Sequence, residues 1–420
     1  MIKKILWICN KVPTTIANQF NIVTSPLGGW LDSMPMSFIK DGYQLGVICP
    51  YHMYYEKKIE GILLRSFYEK DSCHNIKRII RETIIDEKPD VIHIWGTEFK
   101  HSCYALEVAE ELGLLNKCVV SIQGLVSFIG RYHFDVGVPM LVKYGLSIHD
   151  LIKQKLSVNY QKQEFIRRGY YEIKALQKAK HIIGRTDWDK SVTELVNPNA
   201  LYHIGNETLR DTFYSFQWDI NNIERHSIFV SQSNYPLKGF HYMIQAMPYI
   251  LKIFPDAILY TTGLDLVKMS FHERMRVSYY QLYLRKLIRK MGLQKNIKFL
   301  GVLNEMQMRE QYLKTNVFVS PSTIENSSNS IAEAMLMGCP IVASNVGGTK
   351  SVLQDGVEGY LYPCNEPYML AAYVIKLFKS DEICLSFSKA SRKHAQLVHN
   401  RELNYKTIVS IYEEISDENH

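Results

Sequence analysis

The sequence predicts an α/β protein made of two Rossmann-like, doubly wound domains that face each other across an interdomain cleft. Its 420 residues exceed what a single hydrophobic core usually serves, so two domains are expected. Hydrophobic residues make up 46% of the chain and charged residues 22%, which is the balance of a globular protein. Short β-branched and aromatic segments alternate with longer helical patterns, the order that parallel sheets require.

The predicted strands fall into two series. The first series comprises residues 2–9, 44–50, 90–96, 118–124, 181–186 and 200–205. The second series comprises residues 227–233, 257–263, 297–303, 316–322, 340–346 and 359–363. Each series is long enough to form one doubly wound sheet with helices on both faces.

This arrangement predicts the division of the chain. We expect an N-terminal domain, a linker where the strand pattern lapses, a C-terminal domain, and a last helix that packs back on the N-terminal domain, over residues 1–210, 211–226, 227–395 and 396–420. Ligands of doubly wound sheets bind at the carboxyl ends of the strands, and the cleft between two such domains is the expected site.

The first residues, MIKKILWICNK, contain an apolar run that is too short for the core of a signal peptide and fits a buried first strand. No run approaches the roughly 18 apolar residues of a membrane-spanning helix. The eight cysteines are scattered without a CxxC pair, so we expect reduced thiols and no metal site. We therefore expect a cytoplasmic protein, and peripheral contact with the inner face of the cell membrane is compatible with this expectation.

The net charge of +7 is concentrated in one stretch. Residues 268–298 hold nine Lys and Arg side chains against one acid, Glu273. Two interpretations stay open, a solvated helix face or a patch for anionic lipid or a phosphate-bearing acceptor. Nucleic acid is not expected as a partner, because no recognition motif accompanies the charge. The oligomeric state is not predicted by any of these features.

Residues 325–334 read ENSSNSIAEA and set Glu325 and Glu333 around a polar turn before an apolar helix that starts near Asn329. Ser330 and Glu333 have the spacing of a capping box, which would explain Glu333 but leave Glu325 without a role. In the second interpretation the two carboxylates flank a ligand that lies over the helix N-terminus. Free N–H groups and the helix dipole favour a phosphate there.

A longer pattern surrounds this turn. It comprises Pro321-Ser322, Glu325, Glu333-Ala334-Met335, Gly338, residues 340–343, Gly347-Gly348 and the segment DGVEGYLYP at 355–363. The pattern strongly resembles the C-terminal signature of the retaining family-4 glycosyltransferases, also called glycosyl transferases group 1, which have the GT-B fold. The resemblance implies transfer of a sugar from a UDP- or GDP-linked donor to a glycan or lipid-linked acceptor, commonly in cell-surface polysaccharide biosynthesis.

The resemblance also implies roles for residues of the C-terminal domain. Glu333 would bind the ribose hydroxyls of the donor, and Glu325 would contact the transferred sugar and stabilise positive charge at its anomeric carbon. Asn329 and Ser330 would bind the diphosphate through the helix N-terminus. The family generally uses neither a cofactor nor a metal ion, and we expect none here.

The segment SQSNYPLKGF at 231–240 lies where these enzymes carry an arginine followed by Lys-Gly. Lys238 matches, and we expect it to contact the diphosphate. Gln232 stands at the arginine position and supplies no charge. Arg185 and Arg210 are candidate substitutes, although a structural ion pair with a nearby acid is the more frequent role of such residues.

In the first domain, Gly28 and Gly29 match the family's glycine-rich loop after the first strand, where backbone amides approach the donor. Gln123 stands where many relatives carry a histidine close to the transferred sugar. His93 is either a packing residue or a substrate contact. The aromatic-rich segment 125–150 is either a packed surface loop or a contact for acceptor or membrane.

The resulting hypothesis is a retaining enzyme that works by front-face attack, in which the acceptor hydroxyl gives its proton to the departing phosphate oxygen. No protein nucleophile is needed. A non-catalytic protein that binds nucleotide or glycan on the same fold is the main alternative, because Gln123 and Gln232 depart from the family pattern. A nucleotide-sugar epimerase is a third possibility.

Overall fold

A computed structural model describes residues 2–23, 31–32, 34–152 and 157–417. The described chain forms two compact units. Unit 1 is drawn from residues 1–127, 167–210 and 398–420, and unit 2 from residues 128–166 and 211–397.

The described residues contain fourteen strands. In chain order they are β1 Lys4–Ile8, β2 Gln44–Pro50, β3 Glu56–Ile59, β4 Ile62–Phe67, β5 Val91–Trp95, β6 Cys118–Ser121, β7 His181–Gly184, β8 Leu201–Ile204, β9 Glu224–Val230, β10 Ile258–Thr261, β11 Ile297–Phe299, β12 Thr315–Ser320, β13 Ile341–Ser344 and β14 Tyr360–Tyr362. Each of the twelve predicted segments overlaps one of them.

The α-helices of the same residues vary from single turns to more than five turns. In chain order they are α1 Thr14–Gln19, α2 Pro35–Lys40, α3 Cys73–Glu87, α4 Lys100–Glu111, α5 Val126–Phe128, α6 Met140–Tyr144, α7 Ile148–Ile152, α8 Val158–Lys178, α9 Asp187–Val196, α10 Phe240–Leu251, α11 Phe271–Arg274, α12 Tyr279–Lys290, α13 Glu305–Lys314, α14 Asn329–Met337, α15 Thr349–Val352, α16 Pro367–Phe378, α17 Asp381–Val398 and α18 Arg401–Asp417. None of these described helices is both long and apolar enough to cross a membrane.

The sheet of unit 1 has eight strands in the order β3-β4-β2-β1-β5-β6-β7-β8. All neighbours pair in parallel except β3 and β4, which form an antiparallel hairpin. The strands are apolar on both faces because helices cover both sides of a parallel sheet. The sheet is therefore doubly wound, as the sequence predicts.

Helix α18 supplies part of the core of unit 1. Tyr412 is fully buried there, and its hydroxyl oxygen accepts a hydrogen bond from Trp7 Nε1 over 3.1 Å. His93 Nδ1 lies 2.5 Å from the same oxygen, and His93 Nε2 lies 2.7 Å from Ser121 Oγ. Burial lowers the pKa of His93 to about 3. The neutral, enclosed ring favours packing over substrate contact for His93.

The sheet of unit 2 has six parallel strands in the order β11-β10-β9-β12-β13-β14. Residues 211–226, predicted as a linker, pack against this unit. Trp218 is buried, its backbone N–H donates to Met337 O, and its indole Nε1 donates to Thr315 O. The linker interpretation therefore needs correction, because this aromatic side chain anchors the segment to the unit that follows.

Residues 128–166 were expected within the first domain, over residues 1–210, but they cluster with unit 2. A Cβ at Gly137 would overlap the ring of Tyr242 on α10, so the backbone of this segment contacts that helix. Thr323 Oγ1 donates to His133 O over 3.0 Å. Asp150 accepts the backbone N–H of Tyr279 over 2.8 Å. These contacts, which join residues distant in sequence, hold the segment in unit 2.

Candidate functional site

The candidate site of unit 2 lies where the strand order reverses. The chain proceeds from β9 outward to β10 and β11, and then returns to β12 on the other side of β9. In doubly wound sheets, ligands bind outside the carboxyl ends of the strands at such a point. The loops that follow β9, β12 and β13 meet at this edge.

Two side chains that the sequence singled out form an ion pair in this place. Lys238, from the loop after β9, lies with its Nζ 2.7 Å from Glu325 Oε1, from the loop after β12. Ser322 Oγ donates to the same carboxylate oxygen over 2.6 Å. Burial is the largest single influence on the pKa of Lys238 and lowers it, but the charge of Glu325, the charge of Tyr235 and the hydrogen bond to Glu325 together outweigh burial and raise the pKa. Lys238 therefore carries a positive charge at neutral pH.

The two loops approach closely because a glycine follows Lys238. Gly239 has φ +62°, and a Cβ at this position would overlap the carbonyl oxygen of Pro321. The backbone N–H of Thr323 donates to Leu237 O over 2.8 Å, which links the loops a second time. Only glycine combines this backbone conformation with such a contact.

A second glycine fixes the backbone of Glu325. Gly347, after β13, has φ +49°, and a Cβ there would overlap the carbonyl oxygen of Glu325. The N–H of Gly348 donates to this oxygen over 2.9 Å. The loop after β13 therefore holds the backbone of Glu325 in place.

Helix α14 begins at Asn329, with Ser328 as its N-cap, and Ser328 makes no side-chain capping bond. The first-turn N–H groups have no acceptor within the helix, and the dipole places positive potential there. Ser330 is the second residue of the helix, so the predicted capping box with Glu333 is wrong. Asn329 and Ser330 instead belong to the N-terminal turn itself, which can receive an anion.

Glu333 lies one turn further along α14 and is buried. Tyr312 Oη donates to Glu333 Oε2 over 3.4 Å and to Ser330 O over 3.2 Å. Gln232, in the loop after β9, is exposed. Unit 2 thus brings Lys238 and Glu325 into direct contact and sets Glu333 on the helix whose first turn follows Glu325.

A separate group of polar residues lies at the carboxyl ends of the strands of unit 1. Gln123 Nε2 donates to Glu207 Oε1 over 2.9 Å, and Arg185 Nη1 lies 2.5 Å from Glu207 Oε2. Arg185 Nη2 also donates to Ile122 O over 3.1 Å. Arg185 and Glu207 are both buried, so the structural ion pair is the arrangement present for Arg185.

This group lines a small pocket together with apolar side chains from the core. Glu207 was not predicted, although its position after β8 places it at the same sheet edge as Gln123. Gly28 and Gly29 lie outside the described residues. Within residues 2–23, 31–32, 34–152 and 157–417, no cluster of His, Cys, Asp and Glu side chains is suited to hold a metal ion. Metal independence of the reaction stays a prediction.

Residues 211–394 match the family model of glycosyl transferases group 1. Among curated proteins, the chain is 29% identical over 147 residues to an uncharacterized glycosyltransferase of Methanocaldococcus jannaschii, covering 35% of this chain and 34% of that protein. It is 26% identical over 155 residues to a phosphatidyl-myo-inositol mannosyltransferase of Mycobacterium leprae, covering 37% of each. These matches span about a third of each relative's length.

Solved structures match over nearly the whole chain. Sucrose-phosphate synthase from Thermosynechococcus elongatus has a TM-score of 0.69 at 14% identity and covers 98% of this chain and 99% of its own. HepE of Anabaena, in complex with UDP and glucose, has a TM-score of 0.66 at 16% identity, covering 98% and 100%. The fold of the chain is thus GT-B, as predicted. Over residues 211–394 the chain matches the glycosyl transferases group 1 family, which confirms the resemblance.

Proposed function

We propose that this protein is a retaining glycosyltransferase that moves a sugar from a UDP- or GDP-linked donor to a glycan or lipid-linked acceptor. The observation that carries the proposal is the Lys238–Glu325 pair at the reversal point of the unit 2 sheet, next to the N-terminal turn of α14. The family match of residues 211–394 and the UDP complex of HepE support a nucleotide-sugar donor.

Each side chain of the site has a task in this reaction. The diphosphate binds at the first turn of α14 and at Lys238, whose raised pKa keeps it cationic. Glu333, a buried acceptor, binds the ribose hydroxyls of the donor. Glu325 then lies at the sugar, where its carboxylate stabilises the positive charge that develops at the anomeric carbon.

In the proposed reaction, every bond and proton of the transfer step is accounted for without a protein nucleophile or a metal ion. The bond between the anomeric carbon and the phosphate oxygen breaks, and the acceptor oxygen bonds to that carbon on the same face. The acceptor's proton passes to the departing phosphate oxygen, so no side chain has to act as a general base. This route suits a chain that carries Gln123 where many relatives carry a histidine, because a glutamine side chain cannot act as a general base.

A non-catalytic binding protein on the same fold is the second candidate. The exposed Gln232 favours it, because no guanidinium stands at that position to stabilise a leaving group. Lys238 and Glu325 count against it, because a half-buried pair of opposite charges in the donor loops is not needed for simple nucleotide binding. A role in cell-surface polysaccharide biosynthesis and a cytoplasmic location remain predictions.

The variant Glu325→Gln tests the proposal, because it removes the charge at nearly constant volume. We expect the rate of transfer to fall about 100-fold or more, since charge stabilisation in a transition state is worth several kcal/mol. Binding of UDP or GDP, measured by calorimetry, should change less than fivefold. Transfer is followed as release of the free nucleoside diphosphate from a panel of donors with and without acceptor.

Two further variants make the outcome specific. Glu333→Gln should weaken nucleotide binding about tenfold or more, because it removes a charge-assisted hydrogen bond. Glu382→Gln, an exposed glutamate on α17, is the matched control and should alter neither quantity. Unchanged transfer by the Glu325 variant would exclude the proposed role of this carboxylate. Nucleotide binding without turnover by the native chain would establish the non-catalytic alternative.

A further inference from the structure

Unit 2 exposes an unusual concentration of large apolar side chains. Of the 31 exposed large hydrophobic residues in the described chain, seven fall between residues 140 and 152. We call residues 140–152, which comprise α6, α7 and the turn between them, the apolar segment. Its exposed members are Met140, Leu141, Tyr144, Leu146, Ile148, Leu151 and Ile152. Leu141 and Ile152 are 81% and 74% exposed.

The apolar segment is held in place by buried polar contacts. Asp150 is fully buried, and its Oδ2 accepts the backbone N–H of Ser147 over 2.9 Å and that of Tyr279 over 2.8 Å. A Cβ at Gly145 would lie 2.6 Å from the ring of Tyr279, so backbone and ring are in contact. The exposed apolar side chains therefore belong to a fixed structure that adjoins the first residue of α12.

Helix α12 is amphipathic, and its outer face is basic. Tyr280, Leu284 and Ile288 are buried, whereas Lys286, Arg289 and Lys290 are exposed. The latter three have the i, i+3, i+4 spacing of a single helix face. We call these three residues the basic face.

The residues before α12 are also basic and exposed. Lys268, Arg274 and Arg276 are exposed, and Phe271 between them is 69% exposed. The acid in this stretch, Glu273, is engaged in capping α11, where its carboxylate accepts the backbone N–H of Ser270. Residues 268–276 therefore hold three Lys and Arg side chains against one acid, so the stretch keeps a net positive charge.

We propose that the apolar segment and the basic face form a docking surface for a lipid bilayer that contains anionic lipid. Exposed apolar side chains insert at the boundary of headgroups and acyl chains, while nearby Lys and Arg side chains are attracted to anionic headgroups. Helices α6 and α7 have five residues each, so they lie in the interface and do not span the membrane.

Charge complementarity favours a bilayer over a second copy of this chain. A symmetric dimer built on the apolar segment would bring the two sets of basic residues towards each other, and like charges in proximity oppose association. An anionic bilayer presents the opposite charge and apolar chains at the same time. The proposal does not depend on glycosyl transfer, because binding to lipid requires neither donor nor acceptor.

Vesicle co-sedimentation of the full chain tests the proposal. The probes are vesicles of phosphatidylcholine alone and vesicles with about 30% phosphatidylglycerol, at low and at high salt. We expect binding to the anionic vesicles that weakens as salt rises, since surface electrostatics is screened by ions. The double variant Leu141→Ser, Ile152→Ser should lower the affinity at least tenfold, because it removes two inserting side chains.

The triple variant Lys286→Gln, Arg289→Gln, Lys290→Gln should also lower the affinity, by about fivefold for each base that reaches the surface. Matched controls are Val302→Ser, which removes an apolar side chain that is 94% exposed, and Lys379→Gln, Lys389→Gln, Lys393→Gln, which removes three exposed bases elsewhere in unit 2. Both controls should bind vesicles as the native chain does.

Three results would overturn the proposal. The native chain could fail to bind anionic vesicles, or the Leu141, Ile152 variant could bind them as well as the native chain does. A dimer of the native chain that the same variant converts to a monomer, with vesicle binding unchanged, would assign the apolar segment to self-association. Circular dichroism and retained nucleotide binding verify that each variant is folded.

Discussion

At the scale of single residues, the position of Glu325 depends on glycines that belong to other loops. Gly347 contacts the backbone of Glu325 at a φ of +49°, and Gly348 donates a hydrogen bond to it. The ion pair with Lys238 therefore depends on a backbone arrangement that no other residue type permits. Substitution of Gly347 should act on the reaction through Glu325, at a distance from the substrate.

Gly347→Ala tests this dependence. The added Cβ overlaps the carbonyl oxygen of Glu325, so the loop after β12 must shift. We expect a loss of about 1–3 kcal/mol in the free energy of unfolding, from strain and backbone displacement. Sugar transfer should fall at least tenfold while nucleotide binding through Glu333 changes little. Urea unfolding and the donor-turnover assay measure the two effects.

Gly356→Ala is the matched control, because Gly356 also has a positive φ, +71°, but a Cβ there meets no atom within 4 Å. It should lose about 1 kcal/mol of stability from backbone strain alone and keep its transfer rate. Equal losses of transfer in the two alanine variants would show that Gly347 acts through general stability and does not position Glu325.

The sequence predicted both members of the Lys238–Glu325 pair but not their contact, because 87 residues separate them and only the sheet order brings their loops together. It also offered a capping box at Ser330, since the local spacing allowed one. The helix instead starts two residues earlier than a cap at Ser330 would place it, and its N-cap residue, Ser328, makes no side-chain capping bond. Local patterns identify residue types at a site, whereas contacts across loops depend on topology.

At the scale of elements, helix α18 is anchored by one buried hydroxyl. Tyr412 Oη accepts from Trp7 Nε1 and lies 2.5 Å from His93 Nδ1, so this oxygen satisfies polar groups from two central strands. Tyr412→Phe leaves both groups without this partner in the core. We expect a loss of about 2–4 kcal/mol in the stability of unit 1, because each buried unsatisfied group costs about 1–3 kcal/mol.

Tyr405→Phe on the same helix is the control. Tyr405 Oη donates to Asp41 Oδ2 over 2.6 Å in an exposed contact, so its loss should cost less than about 1 kcal/mol. Urea unfolding of the two variants measures the difference. Similar costs at positions 412 and 405 would contradict an anchoring role for the buried hydroxyl.

Element prediction failed at one place, the hairpin of β3 and β4. The strand Glu56–Ile59 is charged and mostly exposed, so it lacks the apolar run that identifies a buried parallel strand. Its turn places Glu60 and Gly61 at φ values of +46° and +82°, which is a two-residue hairpin turn of the type that glycine favours. The sequence indicates this turn only by the dipeptide Glu60-Gly61, which predicts a hairpin less strongly than Asn-Gly does.

At the scale of the whole molecule, the chain enters unit 2 twice. Residues 128–166 cluster with unit 2, and the chain then returns to unit 1, where it forms β7, α9 and β8. The sequence boundary at residue 210 was drawn from the spacing of strands, and residues 128–166 contain helices in place of strands. Contacts such as that of Gly137 with Tyr242 have no signature in a single sequence.

The two units differ in the buried groups that change protonation as the pH falls. His241 in unit 2 is fully buried, its Nδ1 lies 3.0 Å from Tyr280 Oη, and burial lowers its pKa to about 4. In unit 1, burial lowers the pKa of His93 and of His101 to about 3, but it raises the pKa of Glu172 to about 7. The histidines and the carboxyl group have opposite effects on stability as the pH falls.

The sign of each change in stability with pH follows from proton linkage. A histidine with a depressed folded-state pKa is neutral in the folded chain and charged in the unfolded chain, so stability is lost as the pH falls below about 6.5. For His241 the loss between pH 7.5 and pH 5.0 is about 2 kcal/mol. Glu172 favours its protonated form when the chain is folded, so it adds stability to unit 1 as the pH falls over the same interval. This gain offsets about as much stability as one of the two histidines of unit 1 loses.

We therefore expect acid to lower the stability of unit 2 through protonation of His241. Substitution of this one residue should remove that part of the loss. Hydrogen exchange with mass spectrometry reports the opening free energy of each unit separately, at pH 7.5 and at pH 5.0. In the native chain the most protected amides of unit 2 should lose about 2 kcal/mol at the lower pH from this residue. In His241→Gln, which has no group to protonate, that part of the loss should disappear, while amides of unit 1 respond to pH as in the native chain. The same pH dependence of unit 2 in both proteins would contradict the assignment to His241.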